Sequence, residues 1–139
     1  MARYALDASF VLGWLIPGQR TPLIRERWLS FAGGDELLAP ALLLSECTSI
    51  LHEQAQTHAI SRDLARHLVE ALLRLPIHIA DRDEIYLRAF EVAGELDWEK
   101  AYDGMYVAVA ELEGGELLTL DGDMHRGALR LSVRSTLVR

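Results

Sequence analysis

The sequence predicts a single α/β domain, residues 1–139, in which a short and mainly parallel sheet is flanked by helices. Short apolar segments of strand length alternate along the chain with longer segments whose apolar residues recur at helical spacing. Half of the residues are hydrophobic, which suits one compact domain with a buried core. Because strands that alternate with helices form parallel sheets, we expect ligands where the carboxyl ends of the strands meet.

The N-terminal half is predicted to contain two strands and four helices. Thr21 and Pro22 have the form of an N-cap followed by a proline at the first helical position, and Ser61 can cap a later helix. Pro40 is interpreted as the first residue of the third helix, which carries Glu46. The predicted order is strand 3–7, helix 8–15, helix 21–32, strand 36–39, helix 40–58 and helix 61–74.

The C-terminal half is predicted to contain three strands and two helices, with a turn or short helix between the last two strands. Asp81 and Glu84 have the spacing of a capping box before one helix, and the helix that follows Asp103 is apolar on almost every side. Such a helix is expected to be buried over most of its surface. The predicted order is strand 76–80, helix 85–96, helix 105–112, strand 116–120, turn or helix 121–126 and edge strand 131–138.

Composition argues against several classes of function. Cys47 is the only cysteine, so the chain can form no internal disulfide and contains no cysteine pair for zinc. No apolar stretch approaches the roughly 20 residues that span a membrane, and the N-terminus does not resemble a signal peptide, so we expect a cytoplasmic protein. The net charge of −7 opposes nonspecific binding to nucleic acid, unless a metal ion or a local patch of the 13 arginines offsets it.

Four acidic residues occupy positions that ordinary surface acids do not. Asp7 and Asp121 follow predicted strands, whereas Glu46 and Asp103 share helix faces with apolar residues. One interpretation is that all four converge on a shared site. The other is four separate structural roles, namely a helix cap for Asp7, an arginine partner for Glu46, an N-cap for Asp103 and a turn for Asp121. Spacing alone leaves both interpretations open.

A shared site of four carboxylates predicts a bound cation. Two carboxylates about 4 Å apart repel each other by about 4 kcal/mol at an effective dielectric constant of roughly 20, so such a cluster takes up protons or binds a metal ion. Oxygen ligands suit Mg²⁺ or Mn²⁺, whereas zinc is expected to have His or Cys ligands. The histidines fall at no ligand spacing and are interpreted as structural: His52, His58, His67, His78 and His125.

Bound magnesium would make phosphodiester hydrolysis the natural reaction of such a site. An ion held by a few carboxylates keeps positions open for a phosphate oxygen and lowers the pKa of a water that can attack it. Asp7 would be the central ligand. Glu46 and Asp103 would complete the site directly or through water. Asp121 would support a second ion or orient the water.

Four short motifs contain these acids. They are Tyr4-Ala5-Leu6-Asp7-Ala8-Ser9, Ser45-Glu46, Tyr102-Asp103 and Leu118-Thr119-Leu120-Asp121. In order and spacing this set resembles the PIN-domain nucleases, especially the VapC toxins of bacterial and archaeal toxin–antitoxin systems. The resemblance covers essentially the whole chain.

The resemblance implies a PIN-like three-layer sandwich and a Mg²⁺- or Mn²⁺-dependent endoribonuclease, often a homodimer. It also implies a small antitoxin whose C-terminal segment wraps the toxin and occludes the acidic pocket. The acids carried over by position, both as catalytic residues and as metal ligands, are Asp7, Glu46, Asp103 and Asp121.

The resemblance further makes Ser9 and Thr119 polar neighbours that support a ligand or a water, with a local turn bond as the alternative for each. Asp123 is either a fifth acid of the site or part of the turn. RNA contact would fall to arginines rather than to the single lysine, and the candidates, for which a solvated surface is the alternative, are Arg82, Arg126 and Arg130.

Other readings of the acids fit less well. Receiver domains have adjacent acids after the first strand and a late lysine, and dehalogenase-type phosphatases have Asp-x-Asp where this chain has Asp7-Ala8-Ser9. Two alternatives keep the PIN-like fold: an RNA-processing nuclease without an antitoxin, and a protein-binding module without activity. A small open reading frame directly upstream would favour the toxin interpretation.

Overall fold

A five-stranded parallel sheet forms the centre of the structure, a computed structural model that describes residues 1–18 and 21–139. The strands are β1 (Arg3–Leu6), β2 (Glu36–Pro40), β3 (Ile77–Ala80), β4 (Glu116–Thr119) and β5 (Ser135–Leu137). They lie in the order β3-β2-β1-β4-β5, and each neighbouring pair is parallel. The predicted α/β class with a parallel sheet is therefore confirmed.

Helices flank this sheet throughout the described part of the chain. They are α1 (Ala8–Leu15), α2 (Thr21–Leu29), α3 (Leu42–Gln56), α4 (Arg62–Arg74), α5 (Asp83–Glu95), α6 (Tyr102–Leu112) and α7 (Gly122–Arg130). Ser61 caps α4 as predicted, since its hydroxyl accepts a hydrogen bond from Leu64 N at 3.1 Å. The cap predicted at Thr21 depends on a side chain that lies outside the described residues. None of the described helices has the length and apolar character needed to cross a membrane.

The prediction that Pro40 begins a helix is wrong. Pro40 is the last residue of β2, where it pairs with Ala80 of β3, and α3 begins at Leu42. Proline is tolerated here because the pairing of β1 with β2 extends only to Leu38, so the missing N–H falls beyond that ladder. The α-helix therefore starts after the strand has ended and not at the proline.

The capping box predicted for α5 is also wrong. The N-cap residue is Arg82, whose side chain makes no capping hydrogen bond, and the helix begins at Asp83. The Asp81 carboxylate instead accepts a hydrogen bond from the Tyr86 hydroxyl at 2.6 Å. A side-chain partner five residues away has replaced the reciprocal backbone bonds that the sequence spacing favours.

The C-terminal segment contains more helix and less strand than predicted. The turn or short helix expected over 121–126 is a helix that reaches Arg130, and the edge strand is confined to Ser135–Leu137. The apolar α6 is buried as expected, since residues 104–110 all lie in the core. Gly104 allows α6 to approach α5, because a Cβ at this position would lie 2.7 Å from the carbonyl oxygen of Ala89. This contact fixes the N-terminal turn of α6, which carries Asp103.

Candidate functional site

The carboxyl ends of β1 and β4 place two of the predicted site residues side by side. These strands are parallel neighbours in which Leu6 pairs with Leu118. Asp7 follows the end of β1 directly, and Asp121 stands two residues beyond the end of β4. The acids therefore emerge at one edge of the sheet, as expected for ligands of a parallel α/β fold.

Asp7 is held by several hydrogen bonds in a nearly dry environment. Asp7 is only 2% exposed to solvent. Oδ1 accepts hydrogen bonds from Phe10 N at 2.9 Å and from the Ser9 hydroxyl at 2.7 Å. Oδ2 accepts one from the Thr119 hydroxyl at 2.5 Å. The bond from Phe10 makes Asp7 the N-cap of α1, so the capping role and a place in the site are combined in one residue.

The end of β4 orients both hydroxyls toward Asp7. Leu120 N donates to Ser9 Oγ at 2.9 Å, and Asp121 N donates to Thr119 Oγ1 at 2.9 Å. Each hydroxyl carries one proton, and because it accepts a hydrogen bond from a backbone N–H at a lone pair, the proton itself remains available to donate to the carboxylate. Ser9 and Thr119 therefore fix the position of the Asp7 oxygens, and Thr119 does so across the sheet.

Burial raises the pKa of Asp7 to about 6, although its hydrogen bonds from Thr119, Phe10 and Ser9 oppose this change. The negative charge of Asp121 raises the pKa further. The ionised form is thus stabilised by donors but lacks the counter-charge that a buried carboxylate normally needs. A cation near Asp7 would offset both the cost of burying its charge and the repulsion from Asp121.

Glu46 is bonded to a tyrosine and not to an arginine. The Tyr106 hydroxyl donates to Glu46 Oε1 at 2.6 Å, which joins α6 to α3. Tyr106 is 1% exposed, and burial together with this hydrogen bond and the Glu46 charge raises the pKa of its phenol above the usual range. Its spacing of three residues from Asp103 is the signal that could have placed Tyr106 in the site.

Asp103 and Asp121 complete the set of acids. Asp103 lies in the first turn of α6 without capping it, because the N-cap residue is Ala101. Burial raises the pKa of Asp103, and the charges of Asp121, Glu46 and Asp123 raise it further. Asp121 caps α7 by accepting hydrogen bonds from Asp123 N at 2.8 Å and Met124 N at 3.2 Å.

All four predicted acids line one open pocket of about 300 Å³. Ser9, predicted as a polar neighbour, also lines it. The remaining lining residues form a mainly apolar wall that sequence patterns did not assign to the site: Ala8, Leu12, Ile50, Tyr106 and Met124. We refer to this feature as the carboxylate pocket. Across residues 1–18 and 21–139, no arginine, lysine or histidine forms a salt bridge with any of the four acids.

The donor set of the carboxylate pocket fits a hard divalent cation, because its donors are carboxylate and hydroxyl oxygens around a site of excess negative charge. Within the described residues, however, no three His, Cys, Asp or Glu side chains are positioned to hold an ion as they stand. Glu46 is turned to Tyr106 and Asp121 to the start of α7. Ion binding would therefore require side chains of the pocket to move closer together, although Glu46 Oε2 and Asp121 Oδ2 make none of these hydrogen bonds.

The remaining candidates lie outside the carboxylate pocket. The Asp123 side chain is 83% exposed and forms an ion pair with Arg126, although its charge acts on Asp103. Arg82 pairs with Glu113 at 2.6 Å and with Glu84 at 3.9 Å. None of the histidines lines this pocket.

The family assignment agrees with this fold and this site. A family model described as PIN domain matches residues 4–129, so the chain belongs to the PIN domain family. No curated protein matches the sequence.

Solved structures with the same fold share little sequence with this chain. VapC20 from Mycobacterium tuberculosis, described as a sarcin–ricin loop cleaving toxin, has a TM-score of 0.70 and 17% identity, covering 88% of this chain and 92% of that chain. VapBC2 from Rickettsia felis, bound to a DNA fragment from its promoter, has a TM-score of 0.73 and 12% identity, with coverage of 96% and 97%. VapBC-1 from nontypeable Haemophilus influenzae has a TM-score of 0.70 and 15% identity, with coverage of 96% for both chains.

Proposed function

We propose that this PIN-domain protein is a Mg²⁺- or Mn²⁺-dependent endoribonuclease that acts as the toxin of a VapBC-type pair in the cytoplasm. The observation that carries the proposal is the carboxylate pocket, in which four acids meet without a cationic partner among the described residues. Structural relatives described as a VapC toxin and as VapBC complexes support the same class of activity.

Each residue of the pocket has a distinct part in this proposal. Asp7 is the central ligand, because Ser9 and Thr119 hold its oxygens in place before any ion arrives. Glu46 and Asp103 complete the site from the facing helices, and Asp121 orients water or serves a second ion. When bound, the metal ion would neutralise the phosphate and lower the pKa of the attacking water.

We propose a small antitoxin as the protein partner and a homodimer as the working assembly. The structural relatives described as VapBC2 and VapBC-1 support a paired antitoxin. An inhibitor of this site must cover the carboxylate pocket, whose apolar wall and unpaired acids would suit a segment that carries both apolar and basic side chains.

Cleavage of purified RNA tests the enzymatic part. We expect cleavage in Mg²⁺ or Mn²⁺, none in EDTA, and none from Asp7→Asn, because the central ligand is lost. Asp63→Asn is the matched control, since Asp63 is an exposed acid in the first turn of α4, away from the pocket. Undiminished cleavage in EDTA would sink the metal-dependent mechanism.

Expression in cells tests the toxin part. Induction of the wild-type protein should arrest growth, and coexpression of the small protein encoded next to it should restore growth. Asp7→Asn should be harmless at equal abundance. Normal growth alongside active RNA cleavage would favour an RNA-processing nuclease over a toxin.

A further inference from the structure

A second pocket of about 350 Å³ lies beside the carboxylate pocket on the same helix, α7. Its lining combines an aromatic ring, two guanidinium groups and one carboxylate: Leu96, Trp98, Asp123, Arg126, Gly127 and Arg130. We call it the Trp98 subsite. Asp121 lines the first pocket and Asp123 the second, so the two sites are separated by less than one turn of helix.

The Trp98 subsite carries a local positive charge on an acidic protein. Asp123, Arg126 and Arg130 follow at intervals of three and four residues and so share one face of α7. Asp123 neutralises Arg126, whereas no carboxylate pairs with Arg130 in the part of the chain that is described. The guanidinium groups of Arg126 and Arg139 also converge at Gly122, each 3.0 Å from where a Cβ would lie.

Backbone geometry holds Trp98 in place next to these arginines. Trp98 N donates to Ala93 O at 2.8 Å and Asp97 N donates to Gly94 O at 3.3 Å, which is the paired bonding of a Schellman motif at the end of α5. Asp97 takes the left-handed conformation, with φ of 57°, that this motif requires. The loop that presents the indole is therefore a fixed helix terminus.

Gly127 allows the indole to lie directly against α7. A Cβ at this position would lie 2.6 Å from Trp98 Cζ2 and 2.9 Å from Leu96 Cδ1. The ring is half-buried, with one part on the helix and the rest open to the pocket. An aromatic ring held rigidly beside two arginines, of which Arg130 has no carboxylate partner among the described residues, can stack a nucleobase while the guanidinium groups bind its phosphates.

We propose that the Trp98 subsite binds one nucleotide of single-stranded RNA next to the phosphate that enters the carboxylate pocket. Trp98 stacks on the base, and Arg126 and Arg130 contact the flanking phosphates. The inference rests on the proposed ribonuclease function. It explains how a chain of net charge −7 attracts RNA to an acidic pocket, since the attraction comes from an adjacent basic and aromatic surface.

The test measures the Kd of a short fluorescein-labelled single-stranded RNA by anisotropy, in a non-cleaving Asp103→Asn background with Mg²⁺. Trp98→Leu should weaken binding roughly 5- to 150-fold, the range that one stacked base contributes, and Trp98→Phe should retain most of the affinity. Arg130→Gln should lower the slope of log K against log salt by about 0.7. Arg66→Gln, an exposed arginine on α4, is the matched control and should change neither quantity.

Steady-state kinetics with Asp103 intact separates binding from chemistry. The Trp98 and Arg130 variants should raise KM while kcat stays close to the wild-type value, because the subsite holds substrate and transition state alike. Gly127→Ala should reproduce part of the Trp98→Leu effect, since the added Cβ displaces the ring. Thermal unfolding confirms that each variant is folded.

Several outcomes would overturn the subsite. An unchanged Kd in both Trp98→Leu and Arg130→Gln would contradict the subsite. The proposed function would stand in that case, provided that the protein with Asp103 intact cleaves RNA. An equal loss of RNA affinity in Arg66→Gln would also contradict the subsite, because the attraction would then come from arginines over the whole surface. Normal RNA affinity combined with lost inhibition by the coexpressed neighbouring protein identifies a protein-binding site instead. Failure of the parent to bind RNA also overturns the subsite, whereas the cleavage assay decides the proposed function.

Discussion

Two clusters of acidic residues on this protein differ in whether the chain supplies their counter-charge. Between α5 and α6, Arg88 pairs with Glu91 at 3.5 Å, Glu95 at 3.2 Å and Glu111 at 2.5 Å. The hydrogen bond with Glu111 is the main cause that raises the pKa of Arg88 above its usual range. In the carboxylate pocket, four acids meet with hydroxyl and amide donors but with no salt bridge among the described residues.

An acidic cluster indicates a ligand site only when the chain leaves its charge without a partner. The Arg88 cluster, defined by Arg88, Glu91, Glu95 and Glu111, is electrostatically complete and needs no ligand. The carboxylate pocket is incomplete, since burial raises the pKa of Asp7 and of Asp103. A site that costs stability in the free protein is typical of function.

The largest expected effect comes from the same change made in both clusters. Asp103→Asn and Glu111→Gln each convert an acid of α6 into its amide, eight positions apart. RNA cleavage should fall at least about 100-fold in the first, because loss of a ligand costs more than loss of the groups that orient it, and should be unchanged in the second. Comparable loss of activity in Glu111→Gln would mean that the two clusters are not functionally distinct.

The pH dependence of stability should separate the clusters without reference to activity. The pKa of Asp7 rises from 3.8 unfolded to about 6 folded, so its contribution to stability is fully present below pH 4 and is lost as the pH rises through 6. The difference corresponds to about 3 kcal/mol of unfolding free energy in metal-free buffer.

Urea unfolding at several pH values measures this effect. The wild-type protein should lose stability between pH 4 and 7, and Asp7→Asn should lose less. Mg²⁺ should restore wild-type stability at pH 7. A wild-type protein and an Asp7→Asn variant with parallel pH profiles would show that the carboxylate of Asp7 carries no such penalty.

A smaller effect is expected when the counter-charge of the complete cluster is removed. Arg88→Met leaves Glu111 and its neighbours without their cation and should reduce the unfolding free energy by about 1–3 kcal/mol, less than a fully buried ion pair because Arg88 is 20% exposed. Cleavage by the folded variant should be normal. High salt should narrow the difference from wild type, and a salt-independent loss would point to packing of the arginine stem instead.

Local signals in the sequence were sufficient for most of the fold. The alternation of strands and helices predicted the parallel sheet, and Ser61 predicted the cap of α4. Helices, strands and caps are predictable because they depend on bonds and spacing between residues close in the chain. Local signals failed at Pro40, which pairs with the neighbouring strand β3 and does not begin a helix. They also failed at the Asp81–Glu84 spacing, because Asp81 bonds the Tyr86 hydroxyl. Neither partner is evident from spacing along the chain. The sheet edge that carries Asp7 and Asp121 follows from topology and was predictable.

Sequence patterns were enough to identify four unusual acids and to predict that two of them follow parallel strands. Their hydrogen-bond partners depend on packing: Thr119 donates to Asp7 across the sheet, and Tyr106 donates to Glu46 between two helices. Packing also distinguishes the candidate arginines for RNA contact, since Glu113 neutralises Arg82 whereas Arg130 lies open beside Trp98. The physical reason is that strand and helix formation depend on local spacing, but the charge and hydrogen bonding of a site depend on side chains that packing brings together from distant parts of the chain.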